Sequence, residues 1–142
     1  MKKYTLTEES ILYNGVKLYR IKAIQDFDCV QKNDLGGFVE SEKNLSRENK
    51  SWVHGNAMVY GNAEVYGDAK VYGYAEVYGD AKVYENAEVY GDAIVCGNAI
   101  ICGDATVCGY ALIYGNAEVY GDALIYGDAK VHGNAKVYET EG

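Results

Sequence analysis

Two histidines and four cysteines are the side chains of this sequence best equipped for chemistry: His54, His132, Cys29, Cys96, Cys102 and Cys108. An imidazole works as a general base when a partner orients it and a pocket tunes its pKa. Both histidines instead take a place that tyrosine fills in most units of a regular repeat, a smooth corner that supplies neither. The plainer reading makes them surface substitutions, and His132 and His54 remain the candidates for a base if the chain is catalytic. Cys96, Cys102 and Cys108 are spaced C-x5-C-x5-C, unlike the paired CxxC of a zinc site. No metal site and no cofactor are expected.

The elements that must position these residues follow from a strict period. A β-branched residue recurs every six positions from Val53 to Val137, and fifteen such hexads fill residues 53–142. Alanine stands four places after each, from Ala57 through Ala135, and only the last hexad departs, with Glu141. A period of six fits no helix face, but it fits short strands joined by tight turns. In Ala63-Glu64-Val65 the alanine and valine point to one side and the glutamate to the other. Gly-Asn and Gly-Asp then turn the chain, because both residue types tolerate left-handed backbone angles.

The outward residues set the size of a coil. They read Glu64, Lys70, Glu76, Lys82, Glu88. Two or four hexads per coil would stack like charges, which is unfavourable. Three hexads place Glu64 against Lys82, Lys70 against Glu88 and Glu118 against Lys136. The expectation is a solenoid of three strands and 18 residues per coil. Its three corner cysteines then lie on different corners, well over ~10 Å apart, too far to share a metal ion or a disulfide.

Composition agrees. The chain has 17 glycines, 15 tyrosines and no proline, and a core of small side chains must be narrow, as in a solenoid whose units pack only on their neighbours. From residue 53 onward 4 lysines face 13 acidic residues, whereas the first 52 residues carry 9 basic and 8 acidic ones. An acidic rod is poorly suited to bind phosphate backbones, whose affinity comes from Lys and Arg, so no direct nucleic-acid contact is expected. No apolar run reaches the ~18 residues of a membrane span, and the first residues lack the apolar stretch of a signal peptide. A cytoplasmic protein is expected.

The repeat Val-Tyr-Gly-Asn-Ala-Glu resembles the hexapeptide signature of the left-handed β-helix superfamily, over residues 53–140. The stretches Leu18-Tyr19-Arg20-Ile21-Lys22-Ala23, Asp34-Leu35-Gly36-Gly37-Phe38-Val39-Glu40-Ser41-Glu42 and Asn44-Leu45-Ser46 resemble the leader of bacterial and phage hexapeptide-repeat proteins of the YdcK type, labelled as transferases. The resemblance implies an all-β, single-stranded left-handed parallel β-helix; the hand comes from the resemblance and not from the period. It also implies what an acyltransferase of the superfamily would bring: a trimer, coenzyme A or a carrier held between coils of neighbouring subunits, a histidine base, and substrate-contacting residues on loops extruded from the coil or on an appended segment. Residues 53–137 contain no such loop, and no catalytic residue carries over. The superfamily's carbonic anhydrases need three histidines on zinc, where this chain has two. Its ice-binding members need threonine arrays, where the repeat offers only Thr106 and Thr140.

Residues 1–52 are expected to form an N-terminal cap with an irregular first coil, and residues 53–142 about five regular coils. Ile11-Leu12-Tyr13-Asn14-Gly15-Val16-Lys17-Leu18 reads as a hairpin with an Asn-Gly turn. Val39 and Leu45 are six apart and Leu45 and Val53 eight, so two residues are inserted before Trp52, which is expected to pack under this junction. Charges at the C-terminal coil suit a protected edge, and an end-to-end dimer is the sharper alternative.

One corner collects Tyr72, Tyr90 and Tyr126 with Tyr74 and Tyr110, and the strand after it carries Met58, Ile94 and Leu112. Tyrosine and aliphatic residues on one strip suggest a protein interface, against the plainer reading of tyrosines that only shield neighbouring rungs. Self-association as a trimer is the first expectation and a foreign protein the second. Function therefore reads as a non-catalytic binding scaffold, in one version a phage or mobile-element inhibitor that offers an acidic surface to a nucleic-acid-binding enzyme. The alternative is an acetyl-CoA-dependent acyltransferase working in an oligomer.

Overall fold

The computed structural model describes residues 2–140; the departure expected at Glu141 lies outside them. Three longer strands come first: β1 (Tyr4–Tyr13), β2 (Val16–Ala23) and β3 (Leu35–Val39). A 3-10 turn at Glu42–Asn44 follows, the only helical element among the described residues. Fifteen two-residue strands then run from Trp52–Val53 to Lys136–Val137. Each is hydrogen-bonded to the strand three hexads away, which builds three parallel sheets around about six turns of an 18-residue parallel β-solenoid.

The expected register holds: Glu64 pairs with Lys82, Lys70 with Glu88 and Glu118 with Lys136. The charges do not close into ion pairs there among the described residues. Lys70 turns to Asp28, 3.3 Å away. Glu88 accepts the Tyr72 hydroxyl at 2.7 Å, which satisfies a half-buried phenol.

Both inward positions of each hexad fill the bore. Every alanine and every inward-pointing β-branched residue between Val53 and Ile125 is at most 1 % exposed, which excludes water from the axis over that span. The outward residues and corners carry the backbone ladder between coils: Glu64 N–H donates to the Ala81 carbonyl at 3.0 Å and Tyr66 N–H to that of Val83 at 3.0 Å. Corner glycines such as Gly97 (φ +67°) supply the left-handed turn. Their lack of a Cβ matters as much, since one built on Gly97 would stand 2.8 Å from the Gly115 nitrogen on the next coil.

The hairpin turns at Asn14 and Gly15, with φ of 50° and 80°, the two positive values of a type I′ turn. It extends one solenoid face instead of lying apart from it: β1, β2 and β3 precede Met58–Val59 in a single eight-stranded sheet. The inserted pair of residues is visible in register, because Val39 pairs with Val59 and Leu45 with Val65, 20 residues on, whereas Val53 pairs with Val71. Trp52 is buried at this junction, edge-on to Tyr4 at 6.2 Å and to Phe27 at 5.3 Å.

Candidate functional site

The corner between the Trp52 face and the Met58 face differs from the other two. Its first position carries His54, Tyr72, Tyr90, Cys108 and Tyr126 down the coils. Tyr72 and Tyr90 stack at 4.7 Å and 8°, and His54 meets Tyr72 edge-on at 6.0 Å. Rings on successive rungs are forced near the strand spacing of ~4.8 Å, so the ladder follows from the coil.

Its third position reads Asn56, Tyr74, Asp92, Tyr110 and Asp128. From Asn62 to Asn134 the other corners hold Asn or Asp there, and amides bond from coil to coil: Asn98 to Asn116 at 3.2 Å, Asn116 to Asn134 at 3.3 Å, and Asn86 to Asp104 at 3.1 Å. Tyr74 and Tyr110 forgo that ladder and stand 65 % and 69 % exposed, rings with no role in covering the bore. Tyr126 is also exposed, while Tyr72, Tyr90, Ile94 and Leu112 are half-buried. Met58 is placed differently from the rest of the strip: it packs into a cluster with Leu18, Phe38 and Tyr60 beneath the hairpin. The hairpin is held there by Tyr13 and Tyr60, whose hydroxyls both donate to Glu76, at 2.9 and 3.2 Å.

His54 corrects the expectation of a smooth corner. It lines a cleft of about 260 Å³ with Cys29, Lys70, Tyr72 and Glu88. The outer wall comes from the segment after β2, where Phe27 bridges Val30 and Asp28 takes a positive φ of 48°. The Lys70 ammonium ties that segment down and holds the Asp28 carboxyl below its usual pKa. Cys29 was missed as a wall residue because residues 24–34 carry no period that would locate it.

Burial pushes the His54 pKa down, Lys70 pushes it further the same way, and Asp28 opposes both. The imidazole is therefore neutral at pH 7. Because the folded value lies below the unfolded 6.5, the unfolded chain takes up the proton first. His54 thus adds acid sensitivity, and its share of stability is lost as pH falls below about 6.5. Urea midpoints measured between pH 7.5 and 5 should fall less for His54→Gln than for the parent; parallel curves would contradict this placement.

His132 lies on another corner, stacked on Tyr114 at 5.2 Å and 19°, so the two histidines are not brought together. All four cysteines are free. Cys96, Cys102 and Cys108 stand on the three corners of one coil, beneath Tyr78, Tyr84 and Tyr90. A hydrogen bond with Cys102 and then burial raise the Tyr84 pKa to about 12; burial raises that of Cys102. No group of three or more His, Cys, Asp or Glu that could hold a metal ion occurs among the described residues, and no helix among them is long and apolar enough to cross a membrane.

Fold and site together define a parallel β-solenoid in which one corner carries exposed tyrosines at its third turn position. No family model matches the chain, and no curated protein matches it either.

Proposed function

We propose that this protein is a binding scaffold, whose solenoid holds the Tyr74–Tyr110 corner rigid for a protein partner. The observation that carries the reading is the pair of exposed rings that interrupts an otherwise continuous Asn/Asp turn position. Burying such rings against a partner is the usual source of interface energy, and a hydrogen-bonded coil presents them with little ordering cost. The acidic repeat favours a basic partner, as an inhibitor of a nucleic-acid-binding enzyme would require. The same proposal takes the chain as a left-handed member of the hexapeptide superfamily, a reading supported by its repeat, and as a cytoplasmic protein. Self-association as a trimer or end to end would use the same strip or the solenoid's ends.

A second reading, an acyltransferase, is favoured by one observation, the neutral His54 in a cleft beside Cys29 and Glu88. Acetyl-CoA distinguishes the two. The scaffold reading expects no saturable binding and no turnover by the full chain at any concentration that light scattering finds monomeric or assembled. Acetyl-CoA turnover that disappears in His54→Ala would overturn it.

A further inference from the structure

Resting on the scaffold reading, the geometry points to the chemistry of the partner: we infer that Tyr74, Asp92 and Tyr110 form a receptor for an arginine side chain of a partner protein. The three residues occupy the same turn position on three successive coils. Their backbones are fixed by equivalent bonds: Tyr74 N–H donates to the Gly91 carbonyl, Asp92 N–H to Gly109 and Tyr110 N–H to Gly127, each at 2.8 Å. Coils repeat at ~4.8 Å, so the two tyrosines leave the corner ~10 Å apart with the aspartate midway. A cation centred over Asp92 then falls inside the ~6 Å reach of both rings for a cation–π contact.

Asp92 itself is left without a cation. The Asp92 carboxylate makes no ion pair or side-chain hydrogen bond among the described residues. Glu88 precedes it on the same coil, and the outward residue that follows is Ile94. The lysines on the two flanking faces are Lys70, already paired with Asp28, and Lys130, two coils further along. Arg20 also reaches this corner, one coil before Tyr74, where it donates to Asn56 Oδ1 at 3.3 Å, but its charge is already met by Glu9 at 2.8 Å, and none of these cations pairs with Asp92 among the described residues.

Guanidinium fits this arrangement better than ammonium. Its planar fork donates two hydrogen bonds to one carboxylate while its faces stay free to stack on aromatic rings. An ammonium is a compact, strongly hydrated point charge that gives up more water for fewer matched contacts. The acidic balance of the repeat, 13 acidic residues against 4 lysines, draws such a partner in.

The experiment uses the full chain and two fluorescein-labelled peptides, hexa-arginine and hexa-lysine, read by fluorescence anisotropy at physiological salt. Hexa-arginine is expected to bind about tenfold more tightly than hexa-lysine. The Tyr74→Ala/Tyr110→Ala double variant and Asp92→Asn should each lose about that factor for hexa-arginine alone. Tyr138→Ala, an exposed ring on another corner, should change nothing. Circular dichroism verifies that the coil persists, since these side chains lie outside the bore. Equal affinities for the two peptides, or a double variant that binds hexa-arginine as the parent does, would overturn the arginine receptor. Either result leaves the scaffold reading standing, because that reading falls to acetyl-CoA turnover instead.

Discussion

Gly37→Ala is expected to loosen the N-terminal cap and lower the stability of the first coil by about 3 kcal/mol, the upper end of ordinary overpacking. A Cβ at Gly37 would stand 2.5 Å from the Ala57 carbonyl oxygen and 2.7 Å from Val53 Cγ1. One at Gly36 would stand 2.5 Å from the Val53 oxygen, 2.7 Å from Ile21 Cγ1 and 2.8 Å from Trp52 Cζ2. Neither glycine has a positive φ, so the requirement is for space and not for an unusual backbone. The obstructing atoms cannot step aside cheaply: the Ala57 carbonyl accepts the Phe38 N–H at 2.9 Å, a bond that joins β3 to the solenoid. Urea denaturation followed by tryptophan emission should show the loss, because Trp52 sits at the same junction. Amide exchange in β1 and β2 should accelerate with it. An unchanged midpoint for both Gly36→Ala and Gly37→Ala would mean that the cap closes less tightly than described.

Replacing Lys3 by methionine should cost about 2–3 kcal/mol, the price of leaving buried carbonyl oxygens without donors. Lys3 is almost fully enclosed. Its ammonium donates to the Ser51 carbonyl at 2.6 Å, the Ser51 hydroxyl at 3.1 Å and the carbonyls of Glu48 and Asn49 at 3.1 and 3.3 Å. It also lies 4.9 Å from the centre of the Phe27 ring. These contacts gather the stretch that contains the two-residue insertion, which has no coil above it to bond with.

The pH dependence carries a separate signature. Burial lowers the Lys3 pKa from 10.5 to about 8, against an opposing pull from Asp68. Between those values the unfolded chain holds a proton that the folded chain has released. The parent should therefore gain stability as pH rises from about 8 to 10.5, and lose that gain on the way back down. The tyrosines, several with raised pKa values, work in the opposite sense above pH 10. Subtracting the Lys3→Met curve from the parent curve removes their share. A flat difference across that window would rule out the enclosed ammonium.

Most of the fold was legible because a solenoid writes its geometry into one short period. Val65, Ala69 and their equivalents announced the bore, and Glu64 with Lys82 announced 18 residues per coil before any contact was known. The eight-residue step from Leu45 to Val53 located the insertion for the same reason. The corner strip was legible in part. Tyr74 and Tyr110 stood out as departures from Asn/Asp, but Met58 could not be seen to lie beneath the hairpin, since nothing periodic ties residues 13–18 to that face. The cleft at His54 was not legible at all. Its wall depends on how Asp28 and Cys29 fold back, and a segment without repeat leaves that to tertiary packing and one ion pair. Register alone likewise did not reveal that Lys70 and Glu88 would each choose another partner.

The tyrosine stacks carry one optical consequence. Tyr60 with Tyr78, Tyr66 with Tyr84 and Tyr72 with Tyr90 place phenols 5.0, 4.9 and 4.7 Å apart in nearly parallel planes, close enough for excitation to hop between rings. The sole indole, Trp52, lies at the hairpin end of these columns, and the cysteine coil separates them from Tyr114, Tyr120 and Tyr126. Light absorbed in the first coils thus starts close to the single indole, while that absorbed beyond the thiols starts several coils further away. The molecule carries its own donor–acceptor gauge, weighted toward the hairpin end of the rod, without any attached dye.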